Sequence, residues 1–238
     1  MQNDQQSKKI NYRVEAIAAF IYFCIYFGCL FFTLESEFEH WLTLVIIPFV
    51  LLYLYYKTRK QSLSFRDSLA SIGLRKSNLT RGLIWAIFLG LSLSILQLFM
   101  SNRKDAMLEL LRSGKAFLLF PVALLLLLLT AGFTEEFFFR GVLQTRFSKV
   151  FNSRLWAVLV TSILFSLYHL PYAFLHPQWP SYGNLGAAFS AAFGDGMLGG
   201  LVLGAVYEYT DNNLLACILV HALIDVLPAM TLIKFQFG

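Results

Sequence analysis

The chain carries little charge. Only 14% of its 238 residues are Asp, Glu, Lys or Arg, against about 25% in soluble domains, which excludes an ordinary water-facing surface. Cysteine is scarce too. Cys24, Cys29 and Cys217 lie within apolar stretches, show no CxxC spacing and are odd in number, which excludes a disulfide framework and a cysteine-based structural zinc site. No HExxH occurs, and no internal repeat of the kind small transporters usually show. Long Pro-, Gly- or Ser-rich linkers are missing as well, so a single membrane domain is expected. The formal charge is +5, yet the basic residues of 57–81 are interleaved with Ser, Leu and Asp67 and form no recognition motif. No nucleic-acid partner is expected.

What the sequence does contain is apolar: 58% of its residues, among them 24 Phe. A bilayer core about 30 Å thick needs about 20 apolar residues per helix. Seven stretches qualify, near 16–34, 41–56, 82–100, 116–135, 155–175, 185–207 and 213–233, and splitting a longer one would make an eighth. The expected fold is all-α, a polytopic membrane protein of seven or eight transmembrane helices with a polar site between them. The first stretch starts late and is followed by Glu35 and Glu37 in place of a small-residue cleavage site, so it is expected to stay as an anchor. A short polar tail at 1–12, N-terminal transmembrane helices at 13–110 without an assignable motif, and a core at 111–238 complete the division.

Orientation follows from Lys and Arg, which are retained in cytoplasmic loops. An N-terminus placed inside puts Lys8, Lys9, Arg13, Lys57, Arg59, Lys60, Arg66, Arg75, Lys76, Arg81, Arg140, Arg146, Lys149 and Arg154 on the cytoplasmic side, 14 of the 19. The outer side keeps Arg103, Lys104, Arg112, Lys115 and Lys234, with an acidic first loop through Glu35, Glu37 and Glu39. Alternating apolar residues in 101–115 (Met107, Leu108, Leu110, Leu111) allow an interfacial helix there. The cytoplasmic excess is expected to sit against anionic lipid head groups, and the bilayer is the first partner.

Three apolar stretches nonetheless hold groups that a bilayer rejects: Glu135, Glu136 and Arg140; His169; and His221 with Asp225. A charge at the bilayer centre costs about 2.5–3.5 kcal/mol even on lenient insertion scales, so several together call for a shared polar interior. Residues four apart share a helix face. Glu136 therefore reaches Arg140, whereas Glu135 points about 100° away and projects into the site. His221 and Asp225 are again four apart, and Pro171 is expected to end or kink the helix just after His169.

These residues carry a resemblance. Glu135-Glu136-Phe137-Phe138-Phe139-Arg140 resembles the EExxxR motif of the CPBP intramembrane proteases, a family that includes the type II CAAX prenyl endopeptidases and the bacteriocin-processing or Abi proteins. Phe165-Ser166-Leu167-Tyr168-His169 is similar to its FxxxH motif, and His221-Ala222-Leu223-Ile224-Asp225 to its HxxxN/D motif. The resemblance covers about 115–230. It implies an endopeptidase cutting in or at the membrane, with Glu135, Glu136, Arg140, His169, His221 and Asp225 as catalytic residues. Two mechanisms stay open. In one, Glu135 deprotonates a water positioned by His169, and His221 and Asp225 face the oxyanion. In the other, His169, His221 and Glu135 hold a divalent metal, for which the ligand types suit zinc. The family's last position is usually Asn, and Asp225 in its place favours orienting His221 or binding metal over donating to an oxyanion.

The remaining polar residues receive plainer readings. Asp195, in a glycine-rich span with Gly199, Gly200 and Gly204, is expected at a tight interhelical contact. Glu208 and Asp211 are expected in solvent, and His40 and His176 at the interface. The expected substrate is a membrane-associated peptide or protein, reached from the cytoplasmic side because Glu135 falls at the inner end of its span. A multi-pass protein of a prokaryotic inner membrane is the expected location. A non-catalytic scaffold, an immunity protein or a small transporter is the alternative use of the same polar cluster.

Overall fold

Helix formation here follows from apolar runs that satisfy their own backbone hydrogen bonds, as lipid requires. The computed structural model describes residues 11–33, 36–58, 64–74, 79–101, 103–177 and 179–233. The tail at 1–10, with Lys8 and Lys9, and Glu35, Arg59, Lys60, Arg75, Lys76 and Lys234 lie outside the described residues. So do the side chains of Glu37 and Arg81.

The helices are α1 (Tyr12–Leu30), α2 (Phe38–Thr58), α3 (Phe65–Ser71), α4 (Leu79–Met100), α5 (Lys104–Arg112), α6 (Ala116–Phe151), α7 (Arg154–Leu175), α8 (Leu185–Tyr209) and α9 (Leu214–Met230). Six are long and apolar enough to cross a bilayer, and α9 is a shorter apolar helix. No strand occurs among the described residues. The protein is an all-α, multi-pass membrane protein. Its outer faces confirm the setting, since Ile84, Phe88, Ile95, Phe99, Phe117, Leu118 and Leu125 are exposed where a soluble protein would bury them.

These six helices and α9 run alternately between two ends of the bundle. One end gathers the start of α1, the end of α2, α3 and the α6–α7 turn, and carries exposed Arg13, Lys57, Arg66, Lys149 and Arg154. It is called the basic end. The opposite end carries His40, α5, the 176–184 loop and the last residues of α9. Helix α5 forms where alternating apolar residues allow an interfacial helix, burying Met107 and exposing Lys104, Asp105, Glu109 and Arg112.

The largest departure from the sequence reading is α6. The expected span stops at residue 135, but helix continues to Phe151. It breaks once, at Thr130 (φ −104°, ψ −114°), where Gly132 is required because a Cβ there would stand 2.7 Å from the Leu127 carbonyl oxygen. The Leu129 carbonyl released by the break accepts from Trp41 Nε1 at 2.9 Å. Residues 137–144 wind as a π-helical stretch in which all eight residues are buried, a local widening often found at functional sites. Helix α7 likewise runs through Pro171 to Leu175 instead of ending after His169.

Helices α7 and α8 approach closely through small residues. A Cβ added at Gly196, Gly200 or Gly204 would lie 3.5, 3.0 or 3.0 Å from its nearest neighbour, in surroundings that include Ser166, Ser162, Val158 and Gln144. The glycine-rich span thus packs tightly, as its composition predicts, through positions 196, 200 and 204; Gly199 has open space and Asp195 is exposed.

Candidate active site

Helix α6 sets the site. Glu135 and Glu136 stand where the helix widens after its break, so neighbouring carboxylates reach different surroundings. Glu136 is fully buried. Its Oε1 accepts from Arg140 Nη1 at 3.0 Å and from His221 Nδ1 at 2.8 Å. Arg140, also fully buried, donates through Nη2 to the Gly200 carbonyl at 3.1 Å and lies over the Phe165 ring, 4.6 Å from its centroid. This is the expected i,i+4 pairing, and it removes Arg140 from the cations of the basic surface. Breaking such a buried pair by deleting one partner leaves an uncompensated charge.

Glu135 has the opposite situation. It lines a cavity of about 180 Å³ together with His40, Ala131, Thr134, Tyr168, His169, Tyr172 and Trp179. Its Oε1 accepts a long bond, 3.5 Å, from the Tyr168 hydroxyl, while Oε2 is buried without a protein partner. His169 Nε2 and His221 Nε2 each stand 3.9 Å from that oxygen. His169 Nδ1 lies 2.8 Å from the Phe165 carbonyl. A carbonyl only accepts, so Nδ1 bears the hydrogen and Nε2 turns a lone pair toward the cavity. Phe165 itself is buried packing beneath the two histidines.

His221 has a carboxylate at each nitrogen: Glu136 at Nδ1, and Asp225 Oδ2 at 3.2 Å from Nε2. Asp225 therefore sits where it orients His221 from the next helical turn. All six residues singled out by pattern, from three separate helices, converge on one point.

The structure adds residues that the sequence reading places elsewhere. His40, expected at the interface, enters the cavity wall from the start of α2, its Nε2 2.9 Å from both the Tyr168 and Tyr172 hydroxyls. Nothing in a lone His beside Trp41 signals this, because the partner tyrosines lie 128 and 132 positions away. Glu208, expected in solvent, accepts from Gln144 Nε2 at 3.0 Å and pairs with Arg154 at 3.5 Å. Asp211 is exposed, as expected.

The three residues considered as metal ligands do meet, but as placed they do not form a ligand set. A tetrahedral metal with bonds of about 2.1 Å needs donors about 3.4 Å apart, shorter than the two 3.9 Å separations, and His221 is held between two carboxylates. Among the described residues no group of three His, Cys, Asp or Glu side chains is arranged to hold one metal ion.

Residues 117–227 match the family described as type II CAAX prenyl endopeptidase Rce1-like. The match takes in Glu135, Arg140, His169, His221 and Asp225 and slightly under half of the chain. Over this segment the chain is similar to that family, which supports its membership of the CPBP proteases. No curated protein and no solved structure matches the chain. The match and the multi-pass helical fold together support a CAAX-type intramembrane endopeptidase in general outline. The matched segment begins in α6, so His40, on α2, lies outside it.

Proposed function

We propose that the protein hydrolyses a peptide bond of a membrane-associated polypeptide with a water activated by Glu135. The observation that carries the proposal is the buried Oε2 of Glu135, a residue that lines the cavity: it has no hydrogen-bond partner and stands 3.9 Å from both His169 Nε2 and His221 Nε2. A water 2.8 Å from both Glu135 Oε2 and His169 Nε2 would see them about 90° apart, close to the angle between its two hydrogens. Both hydrogens are then engaged, and a lone pair points toward an incoming carbonyl.

As the water oxygen bonds the carbonyl carbon, its proton passes to Glu135. The developing oxyanion faces His221 Nε2, whose position Asp225 and Glu136 fix from either side. When the carbon–nitrogen bond breaks, Glu135 returns the proton to the leaving amine. Arg140 neutralises Glu136 so that only one of the adjacent carboxylates carries the chemistry, a division of roles by environment.

The test is cleavage of a peptide library by purified protein in detergent, comparing wild type with Glu135→Gln and His169→Ala at matched folding. Loss of specific cleavage by about 10³-fold or more in Glu135→Gln, and by about 10²-fold in His169→Ala, is expected. Full cleavage by Glu135→Gln sinks the reading. A chelator arm is included: undiminished cleavage is expected, and a rate abolished by chelation and restored by zinc would replace the water-only mechanism with a metal-bound one.

A further inference from the structure

His40 lies on α2, outside the matched segment, yet it stands in the wall of the cavity that Glu135 and His169 line. The chain around it fixes its place. Ser36 caps the start of the helix: its hydroxyl accepts from the Glu39 amide, and the Glu39 carboxylate accepts from the Ser36 amide at 2.6 Å, a reciprocal pair that sets the first turn. Trp41, the next residue, stacks on Phe133 with ring centroids 4.9 Å apart and donates to the Leu129 carbonyl at the α6 break. With the turn held on both sides, the His40 ring lies against Tyr172, 22° from parallel, and its Nε2 stands 2.9 Å from the hydroxyls of Tyr168 and Tyr172.

The hydrogens at this junction can be counted. A tyrosine hydroxyl has one hydrogen to give and an oxygen that accepts. Tyr168, which is buried, gives its hydrogen to Glu135 Oε1 across 3.5 Å. An Nε2–H on His40 aimed at the Tyr168 oxygen satisfies both contacts at once, whereas a bare Nε2 would draw that same hydrogen away from Glu135. Bonds in such a chain strengthen one another, and a long catalytic contact tightens when the reacting complex forms.

We propose that His40 is a positioning residue of the hydrolytic site: its Nε2–H donates to the Tyr168 oxygen, Tyr168 donates to Glu135 Oε1, and the carboxylate is thereby held with Oε2 left for the water. The inference rests on the endopeptidase reading, in which Glu135 activates that water.

A double-mutant cycle in the full chain tests it on a peptide that the wild type cleaves. His40→Phe and Tyr168→Phe are each expected to lower kcat about tenfold with KM within about twofold, and the double variant to fall no further, because both act through one chain. An additive fall of about a hundredfold, or a loss that follows the melting temperature, overturns the inference. His40→Gln, whose amide N–H stands in for Nε2–H, is expected to recover at least about a third of wild-type kcat; no gain over His40→Phe refutes the chain. A second arm needs no turnover. With 3-fluorotyrosine at position 168, the 19F resonance is expected to move in His40→Phe and in Glu135→Gln, and a resonance that stays in place in either variant overturns the inference. If the wild type cuts nothing, the endopeptidase reading fails by itself, and the resonance still decides whether His40 is linked to Glu135.

Discussion

At the scale of single residues, His40 is the side chain whose role is least visible in its surroundings along the chain. It stacks on Tyr172, with ring centroids 5.7 Å apart, and meets the Tyr168 hydroxyl that also reaches Glu135. A hydroxyl has one hydrogen, so His40 decides whether Tyr168 spends it on Glu135 or on the imidazole. Tyr168→Phe and His40→Phe are each expected to lower kcat about tenfold with little change in KM and no loss of thermal stability, because the aromatic packing is kept. Equal kcat in both variants and wild type counts against any link from His40 to Glu135. The measurement is steady-state cleavage beside a melting curve.

Between elements, two contacts tie the bundle together. Glu15 in α1 accepts from Arg146 Nε at 3.2 Å and from the Tyr56 hydroxyl at 3.0 Å, and Arg146 also donates to the Gly141 carbonyl at 2.7 Å. This buried cluster joins α1 and α2 to the end of α6. Glu15→Gln leaves Arg146 charged without a counter-ion in a site about 1% exposed, and a loss of about 3–5 kcal/mol is expected. The double variant Glu15→Leu with Arg146→Met should recover most of it in the same denaturation assay. If the double variant is no more stable than Glu15→Gln, the pair is not what the single change disrupts. The second contact is the glycine face of α8. Gly200→Val pushes α8 off Ser162 and moves the carbonyl that Arg140 binds, so activity is expected to fall at least tenfold. Gly199→Val, where nothing lies within 4 Å, should leave activity near wild type.

For the molecule as a whole, the matched family segment does not stand alone. Phe23, Tyr26 and Leu44 from the N-terminal helices share one apolar core with Phe138, Phe139, Phe165 and Tyr168. Expressed by itself, 111–238 exposes that core and an unpaired Arg146, and it is expected to be degraded or aggregated. Co-expression of 1–110 should restore a stable, detergent-soluble complex, read by size-exclusion chromatography. A stable, active 111–238 would show the first helices to be dispensable for folding.

Much of this architecture was legible in one dimension. Apolar length alone marks membrane helices, because lipid leaves the backbone no other partner. The i,i+4 rule alone pairs Glu136 with Arg140 and His221 with Asp225, and turns Glu135 away from its neighbour. What the sequence could not determine depended on partners distant along the chain. The polar stretch 136–146 falls outside the expected span until Gly200, Gly204, Glu208, Glu15 and Tyr56 are seen to satisfy it. His40 reads as an interfacial residue until Tyr168 and Tyr172 close around it. Glu135 reads as the inner end of a span, yet the helix continues to Phe151. Local periodicity and apolar length are set by the order of residues; burial, satisfaction of polar groups and the open face of a cavity arise only when separate helices meet.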